Sequence, residues 1–249
     1  ARATAPDPEA AVSPLGFEAL AVEEAVGIDV SEAHGRLTRL VATVRSRLSG
    51  GAGAHQALAT IADAVHTVCP QLVNEAAGGL YSGALASGTC DCDILTVTYL
   101  TVGDALGLPL AAVFLPDHVL VVWDDGRDRI YWETTAAEVR PAWALEALVP
   151  EGAEGTYLQR QSRTQMMGYF YQVRANYRFA QGDEAGAFED YATAERLNPT
   201  FVLTFNNRGR VHLLRGDADA ALADYSRALA LDPTYADALY GRATALLML

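Results

Sequence analysis

Basic side chains are scarce in this chain: 18 Lys and Arg stand against 31 Asp and Glu, a formal charge of −13. A phosphate backbone needs a basic surface to displace its counterions, so nucleic acid is excluded as the expected partner. An anionic membrane surface is disfavoured for the same reason. Long apolar runs are missing too, and none reaches the ~18 uninterrupted residues of a membrane-spanning helix. Cysteine occurs three times, at Cys69, Cys90 and Cys92. Three are too few for a disulfide scaffold, and an odd number leaves at least one free thiol.

What is present suffices for two modest domains: 249 residues, 51% hydrophobic and 20% charged,. Residues 1–14 are rich in Ala and Pro, lack periodicity and read as a flexible leader. The start at Ala1 rather than Met fits either a removed signal peptide or a trimmed chain, so export is an expectation beside a cytoplasmic one. Leu15 to Leu48 reads as helical, with Leu37, Leu40, Val41, Val44 and Leu48 in one stripe. Ser49–Gly53 breaks the pattern, and His55 to Cys69 resumes it. His55 and His66 read as surface or satisfied helix residues. Pro70 to Gly88 reads as irregular.

The chemistry concentrates at Gly88-Thr-Cys-Asp-Cys-Asp93. The run Ile94 to Leu106 places Leu95, Tyr99, Val102 and Leu106 on one helical face. Gly107 suits a left-handed cap, and Pro109 blocks continuation. A thiol at such a helix start feels the positive end of the dipole, which favours thiolate. Strand-like runs follow at Leu110–Leu115, His118–Trp123 and Arg129–Thr134. Asp125-Gly126 signals a two-residue hairpin turn. That turn would set His118 directly opposite Glu133, within reach of an imidazole–carboxylate hydrogen bond.

From Gly168 a 34-residue period sets in: Gly182-Asp183 recurs as Gly216-Asp217, Tyr191 as Tyr225, Pro199 as Pro233. This is the tetratricopeptide pattern, with units at about 168–200 and 201–234 and a further helix, Tyr235 to Leu249. The apolar end Leu246-Leu-Met-Leu249 reads as a face for further repeats or a partner. Arg174, Arg208 and Arg242 share the period. They either grip an acidic peptide or each pair with a carboxylate in their own stack.

A thiol, an imidazole and a carboxyl in this order form the arrangement of a nucleophile, its base and the group that orients the base. Together with Leu106-Gly-Leu-Pro109, Pro116-Asp-His118 and Trp132-Glu-Thr-Thr135, the region resembles the transglutaminase-like superfamily, in its bacterial cysteine-protease-like branch. The resemblance implies an α+β, papain-like domain over residues 15–160, followed by an all-α repeat solenoid over 161–249. It implies Cys92 as nucleophile, His118 as base and Glu133 as orienter. The family's Gly-x-Cys points instead to Cys90 as nucleophile, and its acid is more often Asp or Asn. Implied too is thiol-dependent hydrolysis or acyl transfer at a protein or peptide amide, with neither metal nor organic cofactor.

Other readings stand beside this one. Cys90, Cys92, Asp91, Asp93 and His118 include metal-binding residue types, but lack paired ligand spacing. Cys90 and Cys92 make a conceivable redox pair. Tyr81, Tyr99, Trp123 and Trp132 would line a cleft or fill the core. The oxyanion donors are a backbone N–H at the start of the cysteine helix or, more remotely, Asn74. The alternative function is a non-catalytic interaction scaffold, in which a degenerate enzyme domain accompanies repeats that bind a protein or peptide. Oligomeric state is not legible.

Overall fold

The computed structural model describes residues 13–48, 51–73 and 79–249. Most of the expected leader, Ser49-Gly50 of the expected break, and Asn74 therefore lie outside the described residues. The N-terminal part is α+β. Helices α1 (Leu15–Glu24), α2 (Ser31–Arg47), α3 (Ala54–Val68) and α4 (Tyr81–Ser87) pack around α5 (Cys92–Leu106), which lies against a four-stranded antiparallel sheet. Its strands run in chain order: β3 (Leu110–Leu115), β4 (His118–Asp124), β5 (Arg129–Glu133) and β6 (Glu138–Arg140). Two short strands, β1 (Gln71–Leu72) and β2 (Thr89–Cys90), pair in parallel just before α5. A short helix, α6 (Ala142–Glu146), follows the sheet.

Several expectations need correction. Leu15–Leu48 is two helices, because the chain turns at residues 25–30, where the Asp29 carboxylate accepts from Ser31 N at 3.0 Å. Pro70–Gly88 is not wholly irregular; it contains β1 and α4. The start of α4 is tied to α1 by a long-range contact that no local pattern announces: the buried Glu23 carboxylate accepts from Tyr81 N at 2.6 Å and Ser82 N at 3.0 Å. The cysteine helix begins at Cys92, two residues before the apolar run.

The hairpin register also differs. Asp124 pairs with Arg129 and Val121 with Trp132, so the loop has four residues, 125–128, rather than two. The Asp125 carboxylate organises that loop by accepting from Arg127 N at 2.9 Å and Asp128 N at 2.8 Å. A side chain that closes its own turn in this way competes with the two-residue type I′ geometry. The shift is by two residues, an even number, so each side chain keeps its face.

Helix α5 lies at the centre of the N-terminal part. Leu95, Tyr99 and Val102 are fully buried, and Gly107 ends the helix at φ 66°, a conformation costly for a residue with a Cβ,. The sheet is buried on both sides, which explains its nearly unbroken apolar strands. Val119, Val121, Trp123 and Trp132 join the core with α5, while Leu120, Val122 and Val113 pack with Leu145 of α6. Tyr81, Tyr99, Trp123 and Trp132 are thus core residues, 0–6% exposed, with Trp132 Nε1 donating to Tyr99 Oη at 3.1 Å.

Five antiparallel helices complete the chain: α7 (Arg163–Ala180), α8 (Glu184–Leu197), α9 (Val202–Leu214), α10 (Ala218–Leu231) and α11 (Ala236–Met248). Ser162 and Gln165 start α7 with a reciprocal capping box,. Small residues let the helices close up; a Cβ at Gly241 would lie 2.2 Å from Tyr225 Cζ. Arg174 grips Asp190 through two bonds of 2.8 and 2.6 Å, and Arg208 repeats the grip on Asp224. For these two arginines the pairing within the stack is therefore the arrangement observed. Arg242 holds the third place in the period.

The repeats share the N-terminal core. Met166, Tyr169 and Phe170 of α7, and Phe201, pack in one cluster with α1–α5. Arg174 Nη1 also donates to Val22 O of α1 at 2.7 Å. The Arg174 side chain is 10% exposed and that of Asp190 4%. Removing Arg174 leaves the buried Asp190 only the longer 3.4 Å contact with Arg178 Nη1, at a cost of up to about 3–5 kcal/mol. Arg174→Met should therefore lower unfolding stability by roughly that amount in urea titrations. Adding Asp190→Leu should restore much of the loss, whereas a loss confined to the single variant's noise would contradict the account.

Candidate functional site

Among the described residues a cavity of about 450 Å³ opens where α5, the β3–β4 hairpin and the repeats meet. Cys92 and His118 both line it, with Asp91, Asp93, Asp117 and Thr135 around them. Cys92 is the first residue of α5, and its neighbour Asp91 is the N-cap, its carboxylate accepting from Ile94 N at 3.0 Å. The cap fixes where the helix begins, and so which way the thiol points. The half-buried Cys92 is the free cysteine.

Cys90 is placed differently from what a nucleophile or a Cys92 redox partner requires. It is fully buried and bonded to Cys69, with 5.6 Å between their Cα atoms. The disulfide joins Cys69, the residue that ends α3, to Cys90 of β2, which pairs with Leu72 in the β1–β2 ladder. Both alternatives built on Cys90 are thereby corrected. The same bond removes Cys90 from any metal-ligand set, and no cluster of three potential ligands occurs among the described residues.

His118 Nε2 lies 2.7 Å from Glu133 Oε2. The register makes this a diagonal contact: continuing the ladder from Val121–Trp132 would bring His118 level with Thr135, two residues beyond Glu133. Diagonal neighbours are ~7–8 Å apart at the backbone, a gap that long side chains bridge. Here the extra methylene of Glu over Asp is what spans it. Glu133 Oε1 is held in turn by Thr135, through N at 3.1 Å and Oγ1 at 2.7 Å. With Nε2 engaged, Nδ1 is the ring nitrogen left for the sulfur.

The electrostatics follow from these contacts. The His118 titration is pushed up to about 10, first by the hydrogen bond to the Cys92 sulfur, then by the one to Glu133, against a smaller opposing effect of burial. Burial works against the Glu133 carboxylate, but the bonds from His118 and Thr135 outweigh it and hold Glu133 below its usual range. Both contacts act in the direction that favours the protonated ring. Asp93 is pushed the other way, up to about 6, by burial and then by the Asp91 carboxylate. Its Oδ1 lies 3.9 Å from Cys92 Sγ, and its Oδ2 accepts from Tyr169 Oη of α7 at 3.1 Å.

Asp93 was legible only as a metal-binding residue type beside Cys92, and the residues contributed from beyond the sheet were not legible as site residues. Tyr157, Gln161, Asn198, Phe201, Leu203 and Tyr235 all line the cavity, yet nothing in their spacing announces it. Only the adjacency of Asp93 to Cys92, in the first helical turn, carried a signal. His66 is satisfied by Ala62 O at 3.0 Å, and His55 is exposed, both away from the cavity.

Among known families, the TPR repeat matches residues 209–249. The C-terminal part is accordingly built of TPR repeats, which generally mediate protein–protein contacts. No transglutaminase-like family is matched. No curated protein matches the chain. Among the described residues no helix is long and apolar enough to cross a membrane.

Two pH effects follow. Since His118 holds its proton more tightly in the folded chain than an unfolded histidine at ~6.5 would, its contribution to stability is complete below that value. The contribution then declines as pH rises, and is lost on passing about 10,. In NMR titrations the His118 ring should stay charged from pH 6 to 8, and Glu133→Gln should bring its midpoint down toward the ordinary histidine range. An ordinary midpoint in the unmodified chain would contradict the geometry.

Proposed function

We propose that the chain carries out thiol-dependent acyl chemistry at a protein or peptide amide, in a transglutaminase-like N-terminal domain. The single observation behind this reading is the His118–Glu133 contact of 2.7 Å in the cavity that also holds Cys92. A cysteine at a helix start beside an imidazolium is the environment that sustains a thiolate near neutral pH. Two carboxylates close by, Asp91 and Asp93, oppose that negative charge. The reading therefore requires the imidazolium, and Glu133 is the group that keeps it in place.

In the proposed sequence the Cys92 thiolate attacks the carbonyl carbon, forming a C–S bond and an oxyanion. The Cys92 and Asp93 amides at the start of α5, which lack intrahelical acceptors, would face the developing charge, Ile94 N being taken by the Asp91 cap,. As the C–N bond breaks, His118 Nδ1 passes its proton to the leaving amine, and a thioester remains. Now neutral, His118 takes a proton from the acceptor, which attacks the thioester and releases the thiolate, restoring the imidazolium. Water as acceptor makes the reaction hydrolysis; an amine makes it transfer. The resemblance favours hydrolysis. Glu133 holds the ring's orientation throughout and stabilises its charged form before and after the proton is passed.

The Cys69–Cys90 disulfide supports the export reading, because such bonds persist chiefly in oxidising compartments,. The scaffold alternative draws on the repeats, whose usual role is to hold another protein. Thiol reactivity separates the two. Iodoacetamide without reductant should add once, at Cys92, at least tenfold faster near pH 7 than to an unperturbed thiol. Cys92→Ala should abolish the adduct, and His118→Ala should slow it at least tenfold. Labelling at the unperturbed rate would favour the scaffold.

A further inference from the structure

The cavity that holds Cys92 has two walls of different origin. One is the start of α5 with the β3–β4 hairpin; the other comes from the turn before α9, from α9 itself and from the start of α11. Asn198, Phe201, Leu203 and Tyr235 carry this second wall. It is fastened in place. Tyr157 Oη donates to Asp232 Oδ2 at 2.6 Å, and Thr156 Oγ1 to Leu231 O at 2.7 Å. Asn198 Nδ2 donates to Gln161 Oε1 at 3.2 Å. The ring of Phe201 lies 4.9 Å from that of Phe114 on β3, centroid to centroid. A tethered repeat array would show none of these contacts.

The chemistry of the cavity is one-sided. Asp91, Asp93 and Asp117 line it, and no Arg or Lys does among the described residues. Its cation, the His118 imidazolium, is already matched by Glu133 and by the sulfur. The repeat wall offers apolar surface with a few amide and hydroxyl groups, as ligand pockets of this size commonly do,. An anionic side chain would meet three carboxylates and no free cation, while an uncharged apolar one would be buried against Leu203 and Phe201.

We infer that the repeats form the substrate-recognising half of the thiol site, and that this half selects an acyl donor with an uncharged apolar side chain beside the scissile amide. The inference rests on the thiol-dependent reading above and names its substrate class. Recognition by the repeats is then part of the active cavity rather than a separate docking event.

The test uses the full chain and two probes, N-acetyl-glycyl-leucine and N-acetyl-glycyl-aspartate chloromethyl ketones, which alkylate a thiolate with loss of chloride. The leucine probe should inactivate Cys92 at least tenfold faster than the aspartate probe. Leu203→Arg should cut that ratio at least tenfold, and so should Tyr235→Arg, made in case the first variant fails to fold. A ratio of two rates does not depend on how much of a preparation is folded. Equal rates for both probes in the unmodified chain, or a ratio unmoved by both variants, would overturn the inference. Fast iodoacetamide labelling beside a flat ratio would sink this inference alone. Slow iodoacetamide labelling would remove the thiol-dependent reading beneath it.

Discussion

The contact between His118 and Glu133 is the constraint on which the remaining chemistry hangs. Two carboxylates crowd the thiol, and in their company a neutral imidazole would leave the sulfur in an unfavourable field. Glu133, itself anchored by both hydrogen-bond donors of Thr135, joins Cys92 in favouring the protonated ring. The hairpin supplies the geometry, and α5 supplies the thiol at its first position. The Asp91 cap and the β1–β2 pair hold that position still. Each device is small; together they bring side chains from distant parts of the chain into one cavity.

Much of this was readable from residues alone, and the failures have physical causes. The stripe of α5, its glycine cap and the 34-residue period are local signals, so they translate directly into helices. The pairing of His118 with Glu133 was anticipated through a wrong register. A slip of two residues preserves the face, and a glutamate is long enough to reach across the resulting diagonal.

What stayed hidden depends on tertiary contacts. No periodicity says that Cys69 meets Cys90 across twenty-one residues, or that Glu23 caps a helix 58 residues downstream. The loop at Asp125 was missed for a local reason, since its own carboxylate displaced the turn type that Asp-Gly favours. The largest omission was the repeat wall. A 34-residue period predicts how the helices stack on one another, but says nothing of what else the stack touches.

The shared core has a consequence for how the chain can be handled. A boundary at residue 160 is legible as a change of pattern, but a cut there would lay bare the Met166, Tyr169, Phe170 and Phe201 side of a single apolar cluster. The two halves are modules of sequence and not of folding. They should melt in one transition, and grafting the repeats onto another protein would carry away part of the N-terminal half's interior.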